Sequence, residues 1–292
     1  MFLIQPPQVR ELRLFSAMPD HFRRLERSAW ADVNRSGAPT DSFLEGPVFD
    51  EIGNLYVTDI PWGRIFRIDT QGAWSLVAEY DGEPNGMKFL DAATLLVTDY
   101  KNGLMQVNVG SGRVTPFLAR RNSERFKGVN DLVFDGAGNL YFTDQGQTGL
   151  HDPTGRLYRL GRDGRLDLML DNIPSPNGVA LSPDGKVLFV AVTRGNCVWR
   201  VPLLPDGSVS KVGQFFTSYG PSGPDGLAVD AQGHVYIAAG QIIVCDSAGR
   251  KIDTIEVPER PLQLVFGGRD RRTLFIAGRT SLYAVRLRFA GR

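Results

Sequence analysis

The sequence predicts an all-β chain folded as a six-bladed β-propeller of four-stranded antiparallel blades, and three observations carry that expectation. A polar residue set among Gly, Pro or Asp and followed by a short apolar run recurs at 44–49, 84–89, 129–134, 176–181 and 224–229, with a weaker sixth copy at 261–266. The spacing is roughly 40 to 50 residues, a period that marks repeat architectures. The stretch after each copy repeats as well. Asp50-Glu51-Ile52-Gly53-Asn54-Leu55-Tyr56-Val57-Thr58-Asp59 is echoed by Asp135-Gly136-Ala137-Gly138-Asn139-Leu140-Tyr141-Phe142-Thr143-Asp144 and by Asp230-Ala231-Gln232-Gly233-His234-Val235-Tyr236-Ile237. An Asp/Gly turn between an apolar run and an alternating run reads as a hairpin, because Asp bonds its own turn backbone and Gly supplies positive φ. Further strand-like runs at 64–68, 103–107, 156–160, 197–201 and 242–245 complete each unit.

Taken in order, residues 8–16 alternate polar and apolar and predict a strand, residues 19–28 a short helix starting near Asp20, and residues 31–42 a polar connection. Blade one then runs from about 43 to 82, blade two from 83 to 121, blade three from 128 to 172, blade four from 173 to 218, and blade five from 223 to 259. The last unit, 261–289, supplies only three convincing strands, 263–266, 273–277 and 281–287. The strand at 8–16 is the candidate fourth, which would close the ring and leave no open sheet edge. Residues 1–292 thus read as a single propeller domain, with 1–42 preceding the blades. Blade three carries an inserted loop at 145–155, the kind of excursion on a rigid scaffold where binding residues sit.

Composition narrows the function classes. The 292 residues are 42% hydrophobic, enough for a large core, and the formal charge is +1 with Lys and Arg scattered, so no basic stripe points to nucleic acid or an anionic membrane. The first seven residues lack the basic region and apolar run of a secretory signal, and no stretch approaches membrane-spanning length, so a soluble cytoplasmic protein is expected. The two cysteines, Cys197 and Cys245, lie in strand-like runs and read as buried thiols rather than a bridge or a metal pair.

In a propeller the first strand of each blade lines the central channel. The repeated polar position, Glu45, Asn85, Asn130, Asn177, Asp225 and Gln263, would therefore bring its side chains toward one point on the axis. Two carboxylates (Glu45, Asp225) and two carboxamides (Asn130, Asn177) are hard oxygen donors of total charge −2. That set suits one divalent cation, Ca²⁺ first, with Mg²⁺, Mn²⁺, Fe²⁺ and Zn²⁺ as alternatives. Asn-Gly, Asp-Gly and Asn-Asp are also ordinary turn dipeptides, but turns alone do not account for four oxygen donors in one register. Thr58-Asp59, Thr98-Asp99 and Thr143-Asp144 end second strands and read as hairpin-stabilising. Three histidines share no motif, which argues against a histidine-rich zinc site, and no Gly-x-Ser-x-Gly elbow marks a serine hydrolase.

At these residues, over about 43–250, the chain resembles the senescence marker protein (regucalcin)/gluconolactonase family and, more distantly, diisopropylfluorophosphatase. The likeness lies in Leu-Glu-Gly-Pro at 44–47, Val-Asn-Asp at 129–131, Pro-Asn-Gly-Val-Ala at 176–180 and Pro-Asp-Gly-Leu-Ala at 224–228. The resemblance implies a six-bladed propeller with one catalytic divalent metal, acting on a small-molecule sugar lactone. Glu45, Asn177 and Asp225 would be ligands, Asn130 would bind metal or the substrate and its water, and Asp131 would orient a ligand. Asp225 is the candidate general base. Asn85, Lys127, Asp131, Gln145 and His151 are the candidate substrate contacts, with Tyr100, Arg194 and Gln263 nearby in register. Animal members have an Arg two residues before the Asn matching Asn130; here that position is Gly128, with Lys127 adjacent. The competing readings are phosphotriester or phosphofluoridate hydrolysis at the same metal, and a calcium-binding propeller without turnover. A monomer or small homo-oligomer is expected.

Overall fold

A computed structural model describes residues 11–292. Six four-stranded antiparallel sheets form the blades of the propeller, and a two-stranded hairpin (Arg120–Arg121 with Glu124–Arg125) links blades two and three. The inner strands are Leu44–Phe49, Pro84–Asp91, Val129–Phe134, Pro176–Leu181, Leu227–Val229 and Gln263–Gly267, each at one edge of its sheet. The expected closure is found. Leu12–Ala17 pairs antiparallel with Ser281–Arg286 as the outermost strand of blade six. Residues 8–10 of the predicted strand lie outside the described residues.

The core is not one mass but a set of apolar seams between neighbouring blades. Leu264, Leu274 and Ile276 of blade six meet Tyr236, Ile242 and Val244 of blade five, for example, while Phe275 and Ala277 on its other side meet Leu44, Val57 and Phe66 of blade one. Alternation within a strand produces this, because successive side chains of a blade point to its two neighbours. Each blade therefore depends on both flanking blades, and the ring is cooperative.

Two devices join the inner strands. Threonines in or just after the second strands reach across to the next blade: Thr58 Oγ1 donates to the Asn85 carbonyl at 2.9 Å, Thr143 to that of Asn177 at 2.7 Å, Thr193 to that of Pro224 at 2.7 Å, and Thr98 to that of Asn130. The hairpin role expected for the Thr-Asp pairs holds in part for the threonines, since Thr98 Oγ1 also donates to the Gly86 carbonyl at 3.0 Å and Thr143 Oγ1 accepts from the Asp131 amide at 3.1 Å within their own blades, but their hydroxyls add a bond between blades. The aspartates do act within their own blade. Asp59 accepts from the amide of Phe43, Asp99 from that of Glu83 and Asp144 from that of Gly128. The inner strands also run so close together that side chains are excluded: a Cβ on Gly178 would lie 2.4 Å from the Asp225 carbonyl oxygen.

The helix expected at 19–28 is corrected. That segment holds only a 3-10 turn, Asp20–Phe22, and the α-helix is Ala29–Asn34, which runs into the start of the predicted polar connection. The buried guanidinium of Arg64 donates to the Phe22 carbonyl at 2.8 Å, and Asp41 accepts from the amide of Arg24 and the side chain of Arg23, so the segment is spread over blade one rather than coiled. Ser28 then caps the real helix by accepting from the Ala31 amide at 3.1 Å. Cys197 and Cys245 are buried free thiols, as expected. Among the described residues no helix is long and apolar enough to cross a membrane.

Candidate active site

The repeated polar position coincides with an irregularity in the ladder. In blades one to four the pairing of first and second strands breaks register between Glu45 and Val48, Pro84 and Met87, Val129 and Leu132, and Pro176 and Val179. In blade five the inner strand begins only at Leu227, two residues after Asp225. A bulge frees a residue from regular pairing and re-aims its side chain. Local sequence contributes in two ways: Gly46 after Glu45 takes a φ of +55°, while Gly after Asn85 and Asn177 leaves no Cβ where the neighbouring strand approaches.

These side chains meet at one end of the channel in a cavity of about 330 Å³. Glu45, Asn85, Asn130, Gln145, Asn177 and Asp225 line it, as do Tyr100 and Arg194. Gln145 fixes Asn130: its Oε1 accepts from Asn130 Nδ2 at 2.8 Å, and its own Nε2 donates to Ser175 Oγ at 2.8 Å. With Nδ2 engaged, Asn130 Oδ1 is the atom left for a ligand. Asn177 lies close enough to favour the charged form of Asp225, whose Oδ2 also lies 3.3 Å from Arg260 Nη2.

Three expected substrate contacts do not line the cavity. Asp131 is buried, and its Oδ2 accepts from the Val179 amide at 3.0 Å and from Gln263 Nε2 at 3.2 Å, bonds that tie blades three, four and six together. Lys127 Nζ donates to Thr154 Oγ1 at 2.6 Å, and His151 is exposed on the blade-three loop. The place an Arg would take at Gly128 is filled by an aromatic ring, since a Cβ there would sit 2.7 Å from the ring of Tyr100. The insertion still contributes, but through Gln145, Gly146, Gln147 and Thr148. Residues missed in the sequence are Trp30, Asn34 and Arg35 from the helix region and Arg260 from the stretch before blade six. Arg260 carried a weak signal, standing immediately before the sixth copy of the repeat; Arg35 carried none.

The carboxylates are under electrostatic stress. Glu45 and Asp225 are 4% and 6% exposed. Burial, then the negative charges of Asp225 and Asp131, pushes the Glu45 carboxyl well above the usual carboxylate range. Burial likewise pushes Asp225 up to about 6, against the opposing pull of Arg260. Two acids held together in a dry site resist ionising unless a cation joins them. Among the described residues no three His, Cys, Asp or Glu side chains cluster as ligands, so any centre here must mix carboxylates with carboxamides. The all-oxygen set of Glu45, Asn130, Asn177 and Asp225 fits a hard divalent cation on both charge and donor type.

Fold and site together define a six-bladed propeller whose inner strands converge acids and amides on an axial cavity. The SMP-30/Gluconolactonase/LRE-like region matches residues 43–280, and the chain belongs to this family. Lactonase drp35 of Staphylococcus haemolyticus is 30% identical over 246 residues, covering 79% of this chain and 73% of that protein. Its counterpart in Staphylococcus aureus strain MRSA252 is 28% identical over 246 residues, with 79% and 74% covered. A gluconolactonase from Xanthomonas campestris superposes with a TM-score of 0.76 at 24% identity, covering 97% of this chain and 99% of that one. Regucalcin, a calcium-binding protein from Agrobacterium tumefaciens, does so with a TM-score of 0.76 at 23% identity, covering 86% and 92%. These two structures bear on the fold alone.

Proposed function

We propose that the protein is a metal-dependent lactonase that hydrolyses a sugar lactone to the open aldonic acid in the cytoplasm. The observation that carries this reading is the convergence of Glu45, Asn130, Asn177 and Asp225 on one cavity of about 330 Å³, in a chain whose relatives are named lactonases. Those four residues would hold one divalent cation, Ca²⁺ first. When bound, such a cation supplies a Lewis acid for the ester carbonyl and lowers the pKa of water.

The chain's own groups do the rest. Gln145, anchored on Ser175, keeps Asn130 Oδ1 facing the cavity, and Asn177 steadies Asp225. Asp225, a carboxylate in the same cavity, would accept a proton from the attacking water. The water oxygen bonds to the acyl carbon, the ring C–O bond breaks, and the proton passes to the departing ring oxygen, which becomes a hydroxyl. Asn85, on the same rim, offers both a donor and an acceptor to ring hydroxyls. Trp30 and Phe43, whose rings lie 5.0 Å apart, give the mouth an apolar wall against which a sugar ring can lie.

The test is a pH-indicator assay on γ- and δ-aldonolactones, with protein stripped of metal and reloaded separately with Ca²⁺, Mg²⁺, Mn²⁺, Fe²⁺ or Zn²⁺. Cation-dependent acid release above the spontaneous rate is expected. No release with any pairing, from protein shown to bind the cation, overturns the reading.

A further inference from the structure

Five charged side chains line the cavity: Glu45, Asp225, Arg35, Arg194 and Arg260. A divalent cation on the two carboxylates would cancel them, and three guanidiniums would then face one small space. They reach it from separate parts of the chain. Arg35 ends the helix Ala29–Asn34, Arg194 sits in the 3-10 turn Thr193–Gly195 after the second strand of blade four, and Arg260 precedes the inner strand of blade six. Their convergence is therefore a product of the closed ring and not of one basic stretch.

Several arginines elsewhere are matched with acids, among them Arg23 with Asp41, Arg24 with Glu79, Arg64 with Asp59, Arg156 with Glu124 and Arg286 with Asp270, while others have no acid partner among the described residues. Among the described residues Arg35 and Arg194 make no ion pair. Arg35 instead lies over the rings of Trp30 and Phe43, at 6.0 and 5.7 Å, with Arg260 and Arg279 close enough to repel it. Arg260 has only the 3.3 Å contact to Asp225, and its Nε is buried with no hydrogen-bond partner among the described residues. A buried guanidinium N–H without an acceptor is costly, and a planar fork of donors suits a carboxylate or phosphate.

We propose that the lactone taken by this site carries its own negative charge away from the ring ester, a carboxylate or phosphate group received by Arg35, Arg194 and Arg260. This rests on the lactonase reading and narrows it. A neutral lactone would leave Arg35 and Arg194 without an anionic partner and Arg260 with only its 3.3 Å contact to Asp225. The volume of about 330 Å³ suits a small sugar acid rather than a polymeric anion.

The experiment compares three lactones of one ring size: gluconolactone, the same ring with a carboxylate at its far carbon, and the same ring with a phosphate there. The expected result is a kcat/KM at least about tenfold higher for a charged lactone, set mainly by KM. The carboxylate and phosphate arms say which anion is preferred. Arg35→Gln and Arg194→Gln should each reduce the charged-to-neutral ratio by about tenfold, with Arg35→Lys recovering part of it. In parallel, calorimetry measures gluconate and glucarate binding to metal-free and Ca²⁺-loaded protein, where glucarate should bind more tightly and lose that advantage in Arg35→Gln. Equal turnover of neutral and charged lactones, with no glucarate preference, overturns the inference and leaves the lactonase reading standing. No lactone hydrolysis with an Arg35-dependent glucarate preference does the reverse, sinking the lactonase and supporting the anion site.

Discussion

Asp225 offers the sharpest test of the electrostatics. Its carboxyl titrates at about 6 rather than at 3.8, chiefly because burial penalises the charged form. Between those two pH values the folded protein holds a proton that the unfolded chain has released, so metal-free stability falls as pH rises from about 4 to about 6. The cost is fully present above that window and absent below it. At about 1.4 kcal/mol per unit, the shift corresponds to on the order of 3 kcal/mol. Asp225→Asn removes the charge in nearly the same shape. In metal-free protein the variant should match the wild type near pH 4 and exceed it near pH 8 by on the order of 3 kcal/mol, about 5 °C in Tm for a chain of this length. Adding Ca²⁺ should raise the wild-type midpoint and leave the variant's almost unchanged. Thermal unfolding from pH 4 to pH 8, with and without Ca²⁺, measures all of this. A wild-type-to-variant difference that stays constant across that range would refute the account of a strained acid pair.

Three further outcomes are expected. Gln145→Leu removes the acceptor that orients Asn130 and should weaken Ca²⁺ binding about 10- to 100-fold while the fold persists; unchanged affinity by calorimetry would deny that positioning role. Thr143→Val deletes both the 2.7 Å bond to the Asn177 carbonyl and the acceptor for the Asp131 amide, and should cost about 1–3 kcal/mol in urea unfolding; an unchanged midpoint would deny the hydroxyl its role at the junction of blades three and four. Truncation before Met18 strips the outer strand from blade six and uncovers the ring of Phe275, which packs on Phe15 at 5.1 Å. The shortened chain should unfold at a lower temperature than any single variant above and associate through its exposed edge, as seen by light scattering.

The architecture was legible because a propeller is written locally and then repeated. A turn of Asp and Gly, an alternating strand and a period of roughly 40 to 50 residues each depend on neighbours in sequence, and every copy reinforces the others. That is why the blades, the inner position of each first strand and the closing role of Leu12–Ala17 could be expected. The polar register was legible for the same reason. Glu45, Asn85, Asn130, Asn177 and Asp225 share a place in the repeat, and that shared place is what carries them to one cavity.

Contacts made across the ring were not legible. Asp131 and Lys127 are near Asn130 in sequence, yet Asp131 turns to the Val179 amide and Gln263 while Lys127 turns to Thr154, because bulge geometry and blade packing set those directions. The helix Ala29–Asn34 has too few residues to announce itself and is held by its Ser28 cap and the packing of Trp30 on Phe43. Arg35 and Arg260 belong to no common motif, and only closure of the ring sets them near each other in the same cavity. The sequence alone determined what repeats with the blade, since short-range chemistry fixes it. The tertiary structure decided what meets at the axis, since residues far apart in the chain share that space only after six blades have closed on one another.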